Sequence, residues 1–238
     1  MNKADFSQKI QQKAEMLSIP LNERKIDQFF LMMNLLISWN EKINLTAITE
    51  PEEIIVKHFM DSLTICPYLK QGAKLIDVGT GAGFPGIPLK IVRPDLNITL
   101  LDSLGKRVKF LDEVIQQLAL TQIVAVHARA EEYAQKNRES YDIATSRAVA
   151  KLSVLSEYLL PFVGVGGLAL GMKGAEIEEE LDEAKQAIAV LGGKVEKVES
   201  FSLLDTEMKR SVVILKKVGH TPSKYPRKAG TPAKEPIC

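Results

Sequence analysis

Four glycines crowd one turn of the sequence, in the stretch KLIDVGTGAGFPGIP from Lys74 to Pro88: Gly79, Gly81, Gly83 and Gly86. Leu75, Ile76 and Val78 read as a buried strand feeding that turn, and the following IPLKIV reads as a helix whose free N–H groups face it. Glycine accepts positive φ and lets a ligand approach the main chain, so the stretch reads as a cradle for a nucleoside-bearing ligand. Two templates fit. Gly81 to Gly86 match the G-x-G-x-x-G of dinucleotide loops, whereas Asp77, Gly79 and Gly81 match the D-x-G-x-G of enzymes that use S-adenosylmethionine. Pro85 disfavours helical angles at Phe84 and moves the expected helix start to Gly86, later than a bound pyrophosphate requires.

Further along the chain, Asp102 ends the strand-like ITLLD where a ribose diol would lie, and its two oxygens can accept both hydroxyls. A turn or N-cap aspartate is the alternative. Ser103 and Leu104 would border an adenine, and Ala130 and Glu131, in HARAEE, fall near its edge, although glutamate in a first helical turn is also ordinary capping. Arg147 ends DIATSR, on the strand beside the first. A guanidinium there can grip a phosphate, stack on a base or pair with a nearby carboxylate. Lys106, Arg107 and Lys173 are candidates for phosphate contacts, with a solvated face as the alternative. His58 and Asp61 lie three apart on an expected helix and read better as a hydrogen-bonded structural pair than as metal ligands, and no metal is expected.

The elements that position these residues alternate from Ala73 onward. Strands read as KLIDVG, ITLLD, IVAVH, DIATSR and GLALGMK with helices between, the pattern of a parallel sheet. KVEKVESFSL and SVVILKKV then follow with no room for a crossover helix, which predicts a terminal antiparallel hairpin in a seven-stranded sheet. Six parallel strands, the dinucleotide arrangement, are not predicted. Residues 1–65 carry apolar positions at helical spacing and form an N-terminal helical cap; residues 66–218 form the core. Residues 219–238, rich in proline, glycine and lysine, read as a basic flexible tail in which Lys224, Arg227 and Lys228 could meet RNA.

Composition narrows the class. At 238 residues and 45% hydrophobic content the chain can bury one good core. Two cysteines far apart, Cys66 and Cys238, suggest no disulfide framework, and a charged N-terminus without a long apolar run predicts a cytoplasmic protein with no membrane partner. Net charge is only +1, but from Lys209 onward eight Lys or Arg face the single acid Glu235.

With these motifs in order, the chain resembles the glucose-inhibited division protein B (RsmG) family of bacterial small-subunit rRNA methyltransferases. WNEKINLTAI, HFMDSL, DVGTGAGFPGIPLKI, LLDSLGKRVKFL, ARAEE, DIATSRAVA and GMKG carry the likeness over almost the whole chain. The resemblance implies a class I, Rossmann-like α/β fold and S-adenosylmethionine-dependent methylation of a guanine N7 in 16S rRNA or the small ribosomal subunit; a monomer is expected. It further implies that Gly79, Phe84, Asp102 to Leu104, Ala130, Glu131 and Arg147 surround the cofactor. Two other readings stand beside it: an NAD-dependent oxidoreductase, from GAGFPG, and a ribosome-binding module with a vestigial cleft, from the basic tail.

Overall fold

The computed structural model describes residues 1–147 and 150–237; Ala148 and Val149 of the DIATSRAVA stretch, and Cys238, lie outside the described residues. Among the described residues seven strands form one sheet in the order β3-β2-β1-β4-β5-β7-β6. They are β1 (Lys74–Val78), β2 (Asn97–Asp102), β3 (Ile123–His127), β4 (Tyr141–Arg147), β5 (Val163–Lys173), β6 (Gly193–Ser202) and β7 (Lys209–Lys217). The first five run parallel, and β7 is antiparallel to both β5 and β6. This is the class I methyltransferase sheet, not the six parallel strands of a dinucleotide fold.

Because successive strand side chains point to opposite faces, each strand feeds two apolar layers. Leu75, Ile98 and Leu100 join one layer with Ile87 and Leu89 of α5 (Gly86–Val92) and Phe110, Leu111 and Val114 of α6 (Gly105–Gln117). Ile76, Val78 and Leu101 join the other, with Ala134 of α7 (Ala130–Lys136), Leu152 and Leu155 of α8 (Leu152–Leu159), and Ala184 and Ile188 of α9 (Glu178–Val190). The N-terminal helices α1 (Lys3–Met16) and α2 (Glu23–Asn40) add Phe6, Ile10, Phe29, Met32, Met33 and Leu36 to the first layer, so they share the core of the sheet.

The expected helix that carries His58 and Asp61 has an irregularity. Between α3 (Pro51–Glu53) and α4 (Asp61–Leu63), residues Ile54–Met60 wind as a π-helix, a form that recurs at functional sites. It delivers His58 and Asp61 to the carboxyl end of β4.

The C-terminal segment corrects the expectation of a flexible tail. The Arg138 guanidinium donates to the carbonyls of Thr221, Pro222 and Tyr225, the last at 2.6 Å. Arg227 forks onto the Glu157 carboxylate, Nη2 to Oε2 at 2.6 Å and Nε to Oε1 at 3.0 Å. The buried Lys217 donates to the carbonyls of Leu160 at 2.9 Å and Leu191 at 3.1 Å. A last short helix, α10 (Thr231–Lys234), follows. Local composition reports only a scarcity of large apolar residues; the fixed partners, Arg138 and Glu157, lie 70 or more positions away.

One packing constraint governs the junction of β1 and α5. A β-carbon added at Gly86 would lie 2.2 Å from Leu100 Cδ2 and 2.9 Å from Asp77 Oδ2. Gly86→Ala is therefore expected to destabilise the chain by about 1–3 kcal/mol through overpacking. Urea unfolding should show a lower midpoint at unchanged m-value.

Candidate functional site

The glycine loop is held from below by Asp77. Its Oδ2 accepts from Thr80 Oγ1 at 2.6 Å and from the Gly86 N–H at 2.8 Å, fixing both ends of the loop to the end of β1. Among the described residues Asp77 Oδ1 is the single buried side-chain oxygen or nitrogen without a hydrogen-bond partner. Burial pushes the Asp77 carboxyl up to about 6, against the Thr80 and Gly86 bonds that hold it down. Above it, Gly81 adopts φ 61°, and a β-carbon there would meet nothing within 4 Å. The loop therefore turns its backbone toward open space.

Two adjoining cavities open along this loop and share Gly79, Asp102 and Ser103. One, of about 440 Å³, is lined by Gly81, Phe84, Arg107 and Arg147 together with Leu45, Thr46 and His58 of the N-terminal helical block. The other, of about 180 Å³, is lined by Ala130 and Glu131 with Arg129 and Tyr158. Asp102 is buried between them: Oδ2 accepts from the Gly81 N–H and Oδ1 from the Leu104 N–H, both at 2.9 Å. Each oxygen keeps a lone pair for a ligand hydroxyl. Leu104 lines neither cavity and stands half-exposed at the start of α6. Arg107 turns inward, 3.5 Å from Asp102, while Lys106 stays exposed.

A third cavity, of about 510 Å³, lies across the carboxyl ends of β4 and β5. Arg147 and His58 line both it and the 440 Å³ cavity. The Arg147 guanidinium donates to Asp61 Oδ2 at 3.0 Å, to the Lys57 carbonyl at 3.1 Å and to His58 Nδ1 at 3.1 Å. Guanidinium cannot accept, so Nδ1 is the acceptor, and the proton on Nε2 points at Thr46 Oγ1, 2.8 Å away. The His58 ring stacks on Phe84 at 4.4 Å between centroids, and the guanidinium carbon lies 5.0 Å from the same ring. Burial, then the charge of Arg147, pushes the imidazole down to about 3. Asp61 takes a second guanidinium, Arg210 Nε to Oδ1 at 3.1 Å. The expected His58–Asp61 pair is thus corrected: both converge on Arg147, whose donors separate them.

Lys173 also lines the third cavity, but its ammonium is paired with Glu180 at 2.6 Å and donates to the Ala150 carbonyl at 2.8 Å. Lys224 and Lys228 are exposed, whereas Arg227 is committed to Glu157. Sequence reasoning missed Thr46, Tyr158 and Arg210. Thr46 lies inside WNEKINLTAI, a stretch that carries the family likeness but to which no site residue was assigned; nothing local marks the other two.

The model of the GidB family, described as rRNA small subunit methyltransferase G, matches residues 25–212. The "Ribosomal RNA small subunit methyltransferase G" of Acetivibrio thermocellus is 54% identical over 222 residues, 92% of this chain and 91% of that protein. Its namesake from Desulforamulus reducens is 52% identical over 238 residues, covering 98% of this chain and 99% of that one. Among solved structures, the TYW2 of M. jannaschii in complex with AdoMet superposes with a TM-score of 0.57 at 14% identity, over 72% of this chain and 80% of that one. An antibiotic-resistance methyltransferase, Kmr, gives 0.53 at 18% identity, over 66% and 90%. At such identities the likeness is one of fold, and the family assignment rests on the full-length relatives: this chain is a member of the GidB family, rRNA small subunit methyltransferase G.

Proposed function

We propose that this protein transfers a methyl group from S-adenosylmethionine to N7 of a guanine in 16S rRNA of the small ribosomal subunit. The observation that carries this reading is the placement of Arg147 and His58 in the wall between the loop-side cavity and the 510 Å³ cavity. A cofactor on one side and a splayed base on the other would meet there.

The residues present fit S-adenosylmethionine. Asp102 keeps acceptors for the ribose, Gly81 leaves the space above the loop open, and Ala130 and Glu131 border the 180 Å³ cavity, sized for a base edge. When bound, the cofactor supplies an electrophilic methyl on a sulfonium centre. The orphan Asp77 oxygen lies beneath the loop and adds negative potential there.

Guanine N7 already presents a lone pair, so the reaction needs no general base. The site matches that economy: the His58 imidazole is neutral with Nδ1 engaged by Arg147, and Asp61 is held between two guanidinium groups. Catalysis then rests on alignment, with Arg147 as the positioning group at the base. N7 lies on the major-groove edge, hidden in A-form duplex, so the target is a loop or splayed nucleotide. Exposed Lys106, Lys224 and Lys228 are the cations that would meet phosphates, whereas Lys173 is already paired with Glu180. The nicotinamide reading finds no support in the sheet topology or in the relatives.

The direct test is transfer of labelled methyl from S-adenosylmethionine to small-subunit particles and to free rRNA, followed by mapping of the modified base. Label confined to 7-methylguanosine is expected; label elsewhere, or none, refutes the reading. Asp102→Ala should lose cofactor affinity in calorimetry while RNA affinity stays near that of the parent. Arg147→Lys keeps a charge but loses the fork onto Asp61 and His58, and kcat should fall about tenfold or more in the same transfer assay.

The His58 shift also predicts acid sensitivity. Folded His58 protonates only near pH 3, an unfolded histidine near 6.5, so the stability it contributes is present above 6.5 and is lost as pH falls toward 3. Asp77 acts oppositely: its folded value of about 6 exceeds 3.8, so its contribution is present below 3.8 and is lost as pH rises through 6. Urea midpoints of His58→Gln should therefore fall less steeply than those of the parent on acidification below pH 6.5.

A further inference from the structure

The tail past Lys217 touches the fold at a point that its composition does not foretell. The Gly230 N–H donates to Glu131 Oε1 at 2.7 Å, and Arg129 Nη2 reaches the same oxygen at 3.3 Å. Glu131 is only 3% exposed, yet it lines the 180 Å³ cavity. With Oε1 taken from behind, Oε2 remains as the acceptor for a ligand donor, and the exocyclic amino group of adenine is such a donor.

Gly230 is itself held in place. Three residues upstream, Arg227 clamps Glu157, a carboxylate 1% exposed, through its backbone N–H at 2.8 Å and its guanidinium at 2.6 Å. The next residue, Tyr158, lines the same cavity as Glu131. Earlier in the tail, Arg138 gathers the carbonyls of Thr221, Pro222 and Tyr225. Two walls of the cavity are thus backed by one strap whose charged anchors are built into the fold.

We infer that residues 219–237 are part of the cofactor site: Gly230 orients the Glu131 carboxylate toward adenine, and the Arg227–Glu157 clamp holds Gly230 in position. This rests on the reading of the cleft as an S-adenosylmethionine site. Gly230 and Arg227 are positioning residues that act through Glu131, so their effect falls on recognition of the base and not on the transfer step.

The test compares binding of S-adenosylhomocysteine with that of S-inosylhomocysteine, in which a carbonyl replaces the amino group. The parent should prefer the adenosyl ligand strongly, because a carboxylate accepts from the amino group and repels a carbonyl oxygen. Gly230→Pro removes the donor and cannot adopt the observed φ of 83°. It should weaken S-adenosylhomocysteine binding about tenfold, leave the inosyl ligand nearly unchanged and so narrow the preference about tenfold. The transfer rate at saturating cofactor should stay within about twofold. The double variant R227Q/E157Q frees the clamp without leaving a buried charge unpaired, and it should narrow the preference in the same direction even if Gly230→Pro melts early. A cooperatively folded variant that keeps the parental preference overturns the strap's role, as does equal loss for both ligands. A parent that binds neither ligand overturns the cofactor reading and the strap with it, whereas a parent that binds both equally overturns the strap alone.

Discussion

Everything in the cleft depends on one buried carboxylate. Asp77 sits at the end of β1, in register with Leu100 of β2 and Thr145 of β4, and its Oδ2 ties Thr80 and Gly86 to the sheet. The loop between those two residues is consequently fixed at both ends while its middle, around Gly81, faces open space. Burying a carboxylate is costly unless its lone pairs are used, and here one oxygen accepts two bonds while the other accepts none. Burial raises the proton affinity of the group, against the two bonds at Oδ2. A loop anchored by softer contacts would leave the backbone free to move, and pre-organisation for a ligand would be lost.

The second constraint is the chain of contacts from Thr46 through His58 and Arg147 to Asp61 and Arg210. It joins three parts of the fold: the π-helical segment, the end of β4 and the terminal hairpin. Each member is locked by its neighbour. The guanidinium fixes the imidazole tautomer, the carboxylate fixes the guanidinium, and Phe84 of the glycine loop packs against both the imidazole and the guanidinium. Two guanidinium groups about one carboxylate leave the cluster net positive, which suits a wall facing RNA and disfavours a proton-abstracting base. The N-terminal helices are therefore part of the site: without the helix that carries His58 and Asp61, Arg147 would project into the cleft with nothing to orient it.

The sheet was legible because strands buried on two faces spell themselves out. KLIDV, ITLLD and IVAVH are short apolar runs between turn residues, and the shortness of the link before SVVILKKV was enough to fix the antiparallel hairpin. The placement of Asp102 at the end of β2 beside the glycine loop was legible for a similar reason, since strand end and spacing are both local quantities. Long-range pairing was not. The ion pair considered for Arg147 is present, but its partner, Asp61, lies 86 residues away and is delivered by a π-turn that no periodicity announces. Arg107 and Lys173, read as cations for phosphates, have found carboxylates inside the fold.

The basic C-terminal region shows why charge counts mislead. Of its eight cations, Arg210 is committed to Asp61, Lys217 is buried against carbonyls and Glu139, and Arg227 is clamped on Glu157. Lys216 donates to the Gly166 carbonyl and Lys209 to the Ser202 hydroxyl. Lys224, Lys228 and Lys234 remain as exposed ammonium groups without an ion pair among the described residues, and Lys224 lies over the Tyr225 ring. Each phosphate neutralised adds to the salt dependence of RNA binding, so eight cations counted from Lys209 onward overstate that slope relative to the three that stay exposed beyond β7. The internal cations act differently. They draw the chain past Lys217 back onto the sheet and bring Gly230 to Glu131, so the composition that suggested an RNA tether instead builds the back wall of the cleft.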